Sequence, residues 1–334
     1  MVRRLAVVAE KVGVSEATVS RVLNGKPGVS QATRDAVLTA LDVLGYERPT
    51  QLRGERLRLV GLVLPELQNP IFPAFADVVG DLLAQRGFTP VLCTRTSGGV
   101  SEAEYVELLL GQQVSGVLFA GGAYAMAAAG HDHYARLIQR SLPAVLLNAA
   151  VEHVPFPRVS TDDAVAAEQA LTHLVSLGHE RIGLLLAPPE HVPSQRKRAA
   201  FEALAARLGV AETARVAHGM FSLESGQAAA AKLIADGVTG LVCASDLLAL
   251  GAVRAARRAG KDVPGEVSVI GYDDSALMTC VDPPLTTVRQ PIEALGRAAV
   301  ELLVSQIDGK HVATDELLFE PELVVRSSTA RATA

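Results

Sequence analysis

From residue 58 onward the chain alternates short aliphatic, β-rich runs with longer alanine-rich stretches, and this alternation restricts the fold more than any other feature. The runs are 59–64, 90–93, 116–119, 144–147, 158–160, 182–186, 240–243 and 267–270, and segments such as 165–177 and 201–208 between them have helical character. A strand followed by a helix returns to pair in parallel with its neighbour, and the helices then cover both faces of the sheet. The expected body is therefore α/β, with doubly wound parallel sheets that take ligands beyond the carboxyl ends of their strands. No G-x-G-x-x-G or G-x-x-x-x-G-K-[ST] follows any run, so no nucleotide cofactor is expected.

With 334 residues the chain exceeds one ordinary core and suits a small module joined to a two-lobed body. Its 49% hydrophobic and 20% charged residues are those of a globular protein. The net charge of −5 is unevenly spread, since residues 1–58 carry ten basic and six acidic side chains, leaving −9 for the rest. A basic end on an acidic body fits a localised polyanion contact, although a charge of +4 is also ordinary for a helical domain. Cys93, Cys243 and Cys280 form no C-x-x-C pair and lie in or near apolar runs, so they read as buried small hydrophobes in a reducing compartment. The apolar stretch 5–9 is cut short by Glu10-Lys11, too soon for a secretion signal. No run of about 18 apolar residues is present, so a cytoplasmic protein without membrane contact is expected.

Before residue 58 the pattern is purely helical. Leu5, Val8, Ala9 and Val12 recur at helical spacing, Gly13 follows, and Ser15 can cap a second helix over 16–23. Asn24-Gly25-Lys26-Pro27-Gly28 breaks the chain, and Ser30 opens a third helix that Gly45 ends. Two short helices meeting at a glycine match the helix-turn-helix pattern, with the second helix presented to a DNA major groove; a capped helical hairpin without DNA is the alternative. On that second helix Glu16, Ala17, Thr18, Ser20 and Arg21 can face outward, while Val19, Val22 and Leu23 face inward. Arginine can take guanine bidentately, glutamate can accept from a cytosine amino group, and alanine can meet a thymine methyl. Ser15, Thr18, Ser20 and Asn24 are short polar groups suited to phosphates.

The run Gly13-Val14-Ser15-Glu16-Ala17-Thr18-Val19-Ser20-Arg21-Val22-Leu23-Asn24-Gly25, with Val29-Ser30, Thr33-Arg34 and Leu44-Gly45-Tyr46, resembles the DNA-binding head of the lactose-repressor (LacI/GalR) family. The resemblance continues through Val60-Gly61-Leu62-Val63-Leu64-Pro65, Asn69-Pro70, Gly178-His179-Glu180-Arg181-Ile182-Gly183, Ala244-Ser245-Asp246, Val267-Ser268-Val269-Ile270-Gly271-Tyr272-Asp273, Pro284-Leu285-Thr286-Thr287-Val288 and Gln290-Pro291. It covers essentially the whole chain and implies a small all-α helix-turn-helix head on an α/β two-lobed, periplasmic-binding-protein-like body. Its implied boundaries are 1–46 for the head, 47–58 for a hinge and 59–334 for the effector-binding and dimerisation body. Within the body, an N-subdomain of about 59–158 plus 290–318 would face a C-subdomain of about 159–289 plus 319–330. The base-reading pair carries over to Glu16 and Ala17, and a later base contact to Arg21. Val7 stands where the family usually has an aspartate. The hinge segment is about three residues shorter than usual and contains Gly54, which lowers helix propensity by about 1 kcal/mol; Leu52 is either its minor-groove wedge or part of a plain linker.

The same resemblance places a small-molecule effector, by preference a sugar, between the lobes. Asp273 would accept sugar hydroxyls or instead close its strand as a turn residue, and Ser245 and Asp246 would reach the effector or cap a helix. The family's gripping arginine is replaced by Lys197, so Lys197 serves or the neighbouring Arg196 substitutes. Asn148 stands where an aspartate is frequent, and Phe72 and Phe221 are either stacking platforms or core, in a chain without tryptophan. His131-Asp132-His133 has no third ligand at metal spacing and reads as a surface loop, so no metal site is expected. No G-x-S-x-G or H-E-x-x-H is present, which argues against an enzyme. The reading is a homodimeric repressor of sugar-utilisation genes on a pseudo-palindromic double-stranded operator, released by inducer. The carboxyl end lacks the leucine heptads of tetrameric members. The wording is similar to that of actinobacterial regulators of oligosaccharide use, implying maltose or maltodextrin, then cellobiose. The alternatives are a sugar-binding protein without regulatory DNA binding and a regulator with a purine-like corepressor.

Overall fold

The structure, a computed structural model, describes residues 2–23, 26–44, 58–95 and 98–333. Asn24, Leu52 and the hinge residues 47–57 lie outside the described residues. The chain divides into two compact units, Met1–Leu57 and Arg58–Ala334.

Among the described residues, the first unit holds three helices: α1 (Val2–Val12), α2 (Glu16–Leu23) and α3 (Gln31–Val43). Gly13 sits at φ +72, a left-handed conformation that glycine adopts without a Cβ penalty, and Val14 N–H donates back to Ala9 O at 3.0 Å to close the helix end. Ser15 Oγ accepts from Thr18 N–H at 3.2 Å and caps α2, and Ser30 Oγ does the same for α3 through Thr33 N–H. Val8, Ala9, Val19, Val22, Val37, Ala40 and Leu41 form the core. Each fully buried valine or leucine contributes about 1.5–3 kcal/mol, so a core of such short side chains is modest and depends on its caps.

In the second unit the first sheet holds β1 (Leu59–Leu64), β2 (Thr89–Thr94), β3 (Gly116–Ala120), β4 (Ala144–Leu147), β5 (Arg158–Thr161) and β11 (Glu316–Phe319). Its order is β11-β5-β4-β3-β1-β2, all parallel. Side chains alternate between two cores. Val60, Leu62, Leu118 and Val145 pack under α4 (Ile71–Gln85) and α11 (Ile292–Ile307); Val63, Val117, Phe119 and Leu146 pack under α5 (Glu102–Gly111) and α6 (Asp132–Gln139).

The second sheet holds β6 (Ile182–Leu186), β7 (Arg215–His218), β8 (Gly240–Cys243), β9 (Ser268–Asp273), β10 (Thr286–Arg289) and β12 (Glu322–Val324) in the order β12-β10-β9-β8-β6-β7. Only β12 runs antiparallel, against β10. Around it, α7 (Asp163–Ser176) pairs with α8 (Val192–Leu208), and α9 (Leu223–Ala235) with α10 (Asp246–Arg258). The chain passes between the sheets after β5, after β10 and between β11 and β12. The division drawn at 158/159 from sequence shifts to after Thr161, because β5 hydrogen-bonds wholly within the first sheet.

Two expectations about single residues change. Cys93 and Cys243 are buried but Cys280 is exposed, since the apolar run beside it belongs to a short 3-10 turn at the surface. The His131–His133 segment is not a loose surface loop: Asp132 opens α6, and both histidines point into the fold.

Candidate functional site

Both sheets share one winding. In each, the chain's first strand lies between its second and third, so a crevice opens at the carboxyl end where the order reverses. The loops leaving β1, β3 and β4 of the first sheet and β6, β7, β8 and β9 of the second enclose a cavity of ≈ 520 Å³. That size accommodates a small organic ligand.

Asp273 ends β9 at the cavity wall. It sits at φ +116, where a residue with a Cβ is strained, and its side chain is buried. Its Oδ1 accepts from Gln290 Nε2 at 2.7 Å, while Oδ2 has no hydrogen-bond partner. Burial and the nearby Asp246 carboxylate raise its pKa well above the usual range, against the pull of Gln290, Lys197 and Asn69. Asp246 is buried away from the cavity lining, accepting from Thr287 Oγ1 and from Ser275 N–H, both at 2.7 Å. Burial pushes it up to about 6 in spite of these bonds.

Lys197, on α8, is also buried; it pairs with Asp163 at the start of α7 and lies 4.0 Å from the centroid of the Tyr272 ring. Burial raises the Asp163 pKa, with Lys197 opposing. His191 leads into α8, shares a hydrogen bond with Ser194 Oγ through Nδ1 at 3.0 Å and meets the Phe221 ring edge-to-face at 5.2 Å. Burial, then the Lys197 charge, pull its pKa down to about 3, so its ring is neutral at physiological pH. Asn148, at φ +63, donates to Gln290 Oε1 at 3.0 Å and accepts from Thr161 N–H at 3.2 Å. Its amide thus fastens the strand crossings together at the cavity's floor.

The loop after β3 is held from behind. Gly122 adopts φ +139, with the Glu102 carboxylate where a Cβ would project. Buried Glu102 accepts from Ala123 N–H at 3.0 Å, from Tyr134 Oη and from His133 Nε2 at 2.9 Å. Burial works to raise its pKa, but these bonds prevail and hold it low. Phe119, Tyr124 and Tyr134 stack edge-to-face beneath, with centroids 5.4–6.4 Å apart.

Phe72, Asn148, Lys197, Phe221 and Asp273 thus line one cavity. Three other residues singled out from sequence do not. Arg196 turns away, one residue round the helix from Lys197, and pairs with Glu316. Ser245 caps α10 by accepting from Leu248 N–H at 3.2 Å, and Asp246 is spent on Thr287 and Ser275. Asn69, Asp163, His191, Tyr272 and Gln290 also line the cavity and were missed. For Asn69 and Gln290 the available signal was a polar side chain just before a proline near a strand's carboxyl end. Asp163 had no local signal, because its place depends on the crossing after β5.

On α2, Glu16, Ala17 and Arg21 are exposed, Thr18 and Ser20 are half-buried, and Val19 and Val22 are in the core. Ser15 and Thr18 share a hydrogen bond at 2.9 Å at the start of the helix. A helix anchored on two valines with arginine and glutamate turned outward has the form of a groove-reading surface.

Residues 5–49 match the model for bacterial regulatory proteins of the lacI family, and residues 171–329 that for a periplasmic binding protein-like domain. The HTH-type transcriptional regulator reg1 of Streptomyces lividans is 53% identical over 99% of this chain and 98% of its own, and MalR of Streptomyces coelicolor is 52% identical with the same coverage. Among solved structures, a CelR–cellobiose complex superposes with a TM-score of 0.72 at 33% identity, covering 97% of this chain and 99% of that one. A Lac repressor dimer bound to operator superposes with a TM-score of 0.71 at 29% identity, covering 97% and 98%. With its helix-turn-helix head and two doubly wound lobes matched from end to end, the chain belongs to the lacI family of bacterial regulatory proteins.

Proposed function

We propose that this chain is a homodimeric, sequence-specific repressor of sugar-utilisation genes, acting in the cytoplasm and released from a pseudo-palindromic operator when an uncharged sugar fills the cavity. Arg21, Glu16 and Ala17 read base edges, and Ser15, Thr18 and Ser20 seat α2 on phosphates; Asn24 and Leu52 join them as phosphate contact and minor-groove wedge. In the cavity Asp273 accepts sugar hydroxyls, Lys197 and His191 supply further polar contacts, and Phe72 and Phe221 face the ring. The observation that carries this reading is the unpartnered Oδ2 of Asp273, a buried acceptor on a strained backbone at the cavity wall. A sugar hydroxyl satisfies it. The lining cations are Lys197, already paired with Asp163, and Arg95, close to Glu66, so neither is uncommitted. This balance favours a neutral polyol over a sugar phosphate or a nucleotide.

Maltose or a short maltodextrin is the first choice of effector, supported by the overall similarity to the Streptomyces regulators; cellobiose is second, the ligand of the CelR complex. The test is a thermal-shift panel on the full chain with maltose, maltotriose, cellobiose, glucose 6-phosphate and hypoxanthine, followed by operator release with each binder. One of the neutral sugars raises the melting temperature and frees DNA. A shift by hypoxanthine or the phosphate ester alone refutes the effector class.

A further inference from the structure

Apart from the Asn148–Gln290–Asp273 hydrogen bonds at the strand crossings, two contacts between the lobes hold the same end of α8. At one, Met126 of the first lobe and His191 of the second form an isolated antiparallel bridge, with Ala127 N–H donating to Glu190 O at 2.9 Å. At the other, the Arg196 guanidinium grips both carboxylate oxygens of Glu316, on the first sheet's edge strand, at 2.8 and 2.9 Å. A planar fork on a carboxylate is the strongest geometry for such a pair. Glu316 is itself fixed from within its own lobe, since Ser160 Oγ donates to it at 2.6 Å and Arg158 is close enough to favour its charge. On the other side Asp162 and Asp163 add attraction for Arg196. Burial opposes both charges, yet the pair lowers the pKa of Glu316 and raises that of Arg196, so both are ionised at neutral pH.

We infer that Arg196 and Glu316 are a positioning pair: a cross-lobe latch that sets α8 against the first lobe, so that Lys197 and His191 are held in the cavity and a bound effector is retained. Arg196 does not itself line the cavity; it acts through the residue next to it. The pair joins β11 of the first sheet to α8, which packs on β6 of the second, so it forms only when the lobes are together. Breaking it favours the parted arrangement, which speeds effector escape without obstructing entry. The use of the latch to retain an effector rests on the proposed function; the cross-lobe coupling itself does not.

The experiment uses the full chain with Arg196→Gln, Glu316→Gln and the double variant, and reads hydrogen exchange at the Ala127 amide, whose acceptor is across the cleft. Val117 N–H, bonded to Pro143 O inside the first lobe, is the reference. Each single variant should speed Ala127 exchange about five- to tenfold with Val117 unchanged, and the double variant no further, because either substitution already breaks the pair. Maltose dissociation should quicken by a similar factor at an unchanged association rate. Unchanged Ala127 exchange overturns the latch, as does a double variant whose effect is the product of the singles. Parallel acceleration at Val117 also overturns it, by showing general destabilisation. If maltose does not bind, the proposed effector fails while the Ala127 measurement still decides the latch.

Discussion

Replacing Asp273 by asparagine should stabilise the ligand-free protein at neutral pH while abolishing effector binding. The carboxylate is buried, one oxygen is satisfied by Gln290, and the other has no partner beside a second buried carboxylate, Asp246. Leaving a buried polar group unsatisfied costs about 1–3 kcal/mol, and more when it is charged. Asparagine keeps an acceptor for Gln290, fits the positive φ better than most residues and carries no charge. A gain of about 1–2 kcal/mol is expected, which for a body of this size raises its unfolding midpoint by roughly 2–8 °C.

The pH dependence separates this cause from general repacking. An aspartate whose native pKa is raised above its unfolded value of about 3.9 is protonated in both states below that pH and costs nothing there. As pH rises through the window between the unfolded and native values, the unfolded chain ionises first and the native state loses relative stability. The Asp273→Asn advantage should therefore be small at pH 4 and grow toward pH 7.5. Scanning calorimetry of both proteins across that range, with and without saturating maltose, measures it. Maltose at about 100 times its Kd stabilises the wild type by about 2.7 kcal/mol and should leave the variant unmoved. A variant less stable than wild type at pH 7.5, or an advantage that is flat with pH, refutes the reasoning.

Other changes are expected to be as specific. Arg21→Ala should reduce preference for operator over scrambled DNA by about ten- to a hundredfold in a titration at fixed salt, as one bidentate base contact is worth about 1–3 kcal/mol; equal weakening on both duplexes makes Arg21 a phosphate contact. The His191 ring should stay neutral in an NMR titration down to pH 5. Because its native pKa lies below the unfolded value, stability is lost as pH falls through about 6.5, and His191→Gln should remove its share of that loss, leaving the shares of half-buried His173 and buried His179. A ring that titrates near 6.5 contradicts its burial. Gly122→Ala should lower the melting temperature, since φ +139 excludes most side chains and the Glu102 carboxylate fills the Cβ position; the strain is about 1–3 kcal/mol, and an unchanged melt shows that the loop relaxes freely.

What could be read without coordinates was what depends on neighbours along the chain. The runs 59–64, 144–147, 182–186 and 240–243 are strands with those limits, because aliphatic continuity and flanking turns are local properties. The helix at 16–23, its serine cap and the glycine before it are equally local, and so is the outward side of α2. The edge strands β7, β11 and β12 were not legible, because half-exposed sequences such as Arg215–His218 carry no continuous apolar signal.

The site was decided at longer range. Lys197 enters the cavity and Arg196 leaves it because adjacent residues on a helix point about 100° apart, and which one faces inward depends on how α8 packs. Asn148 and Gln290 meet although they are 142 positions apart, Ser160 and Glu316 although they are 156 apart. Amino-acid order alone specified a groove-reading head and a wound α/β body, because helix caps, turn glycines and apolar period act over a few residues. Which carboxylate stays unpaired, which cation crosses the cleft and which amide ties the lobes were settled only when three strand crossings brought distant segments into contact.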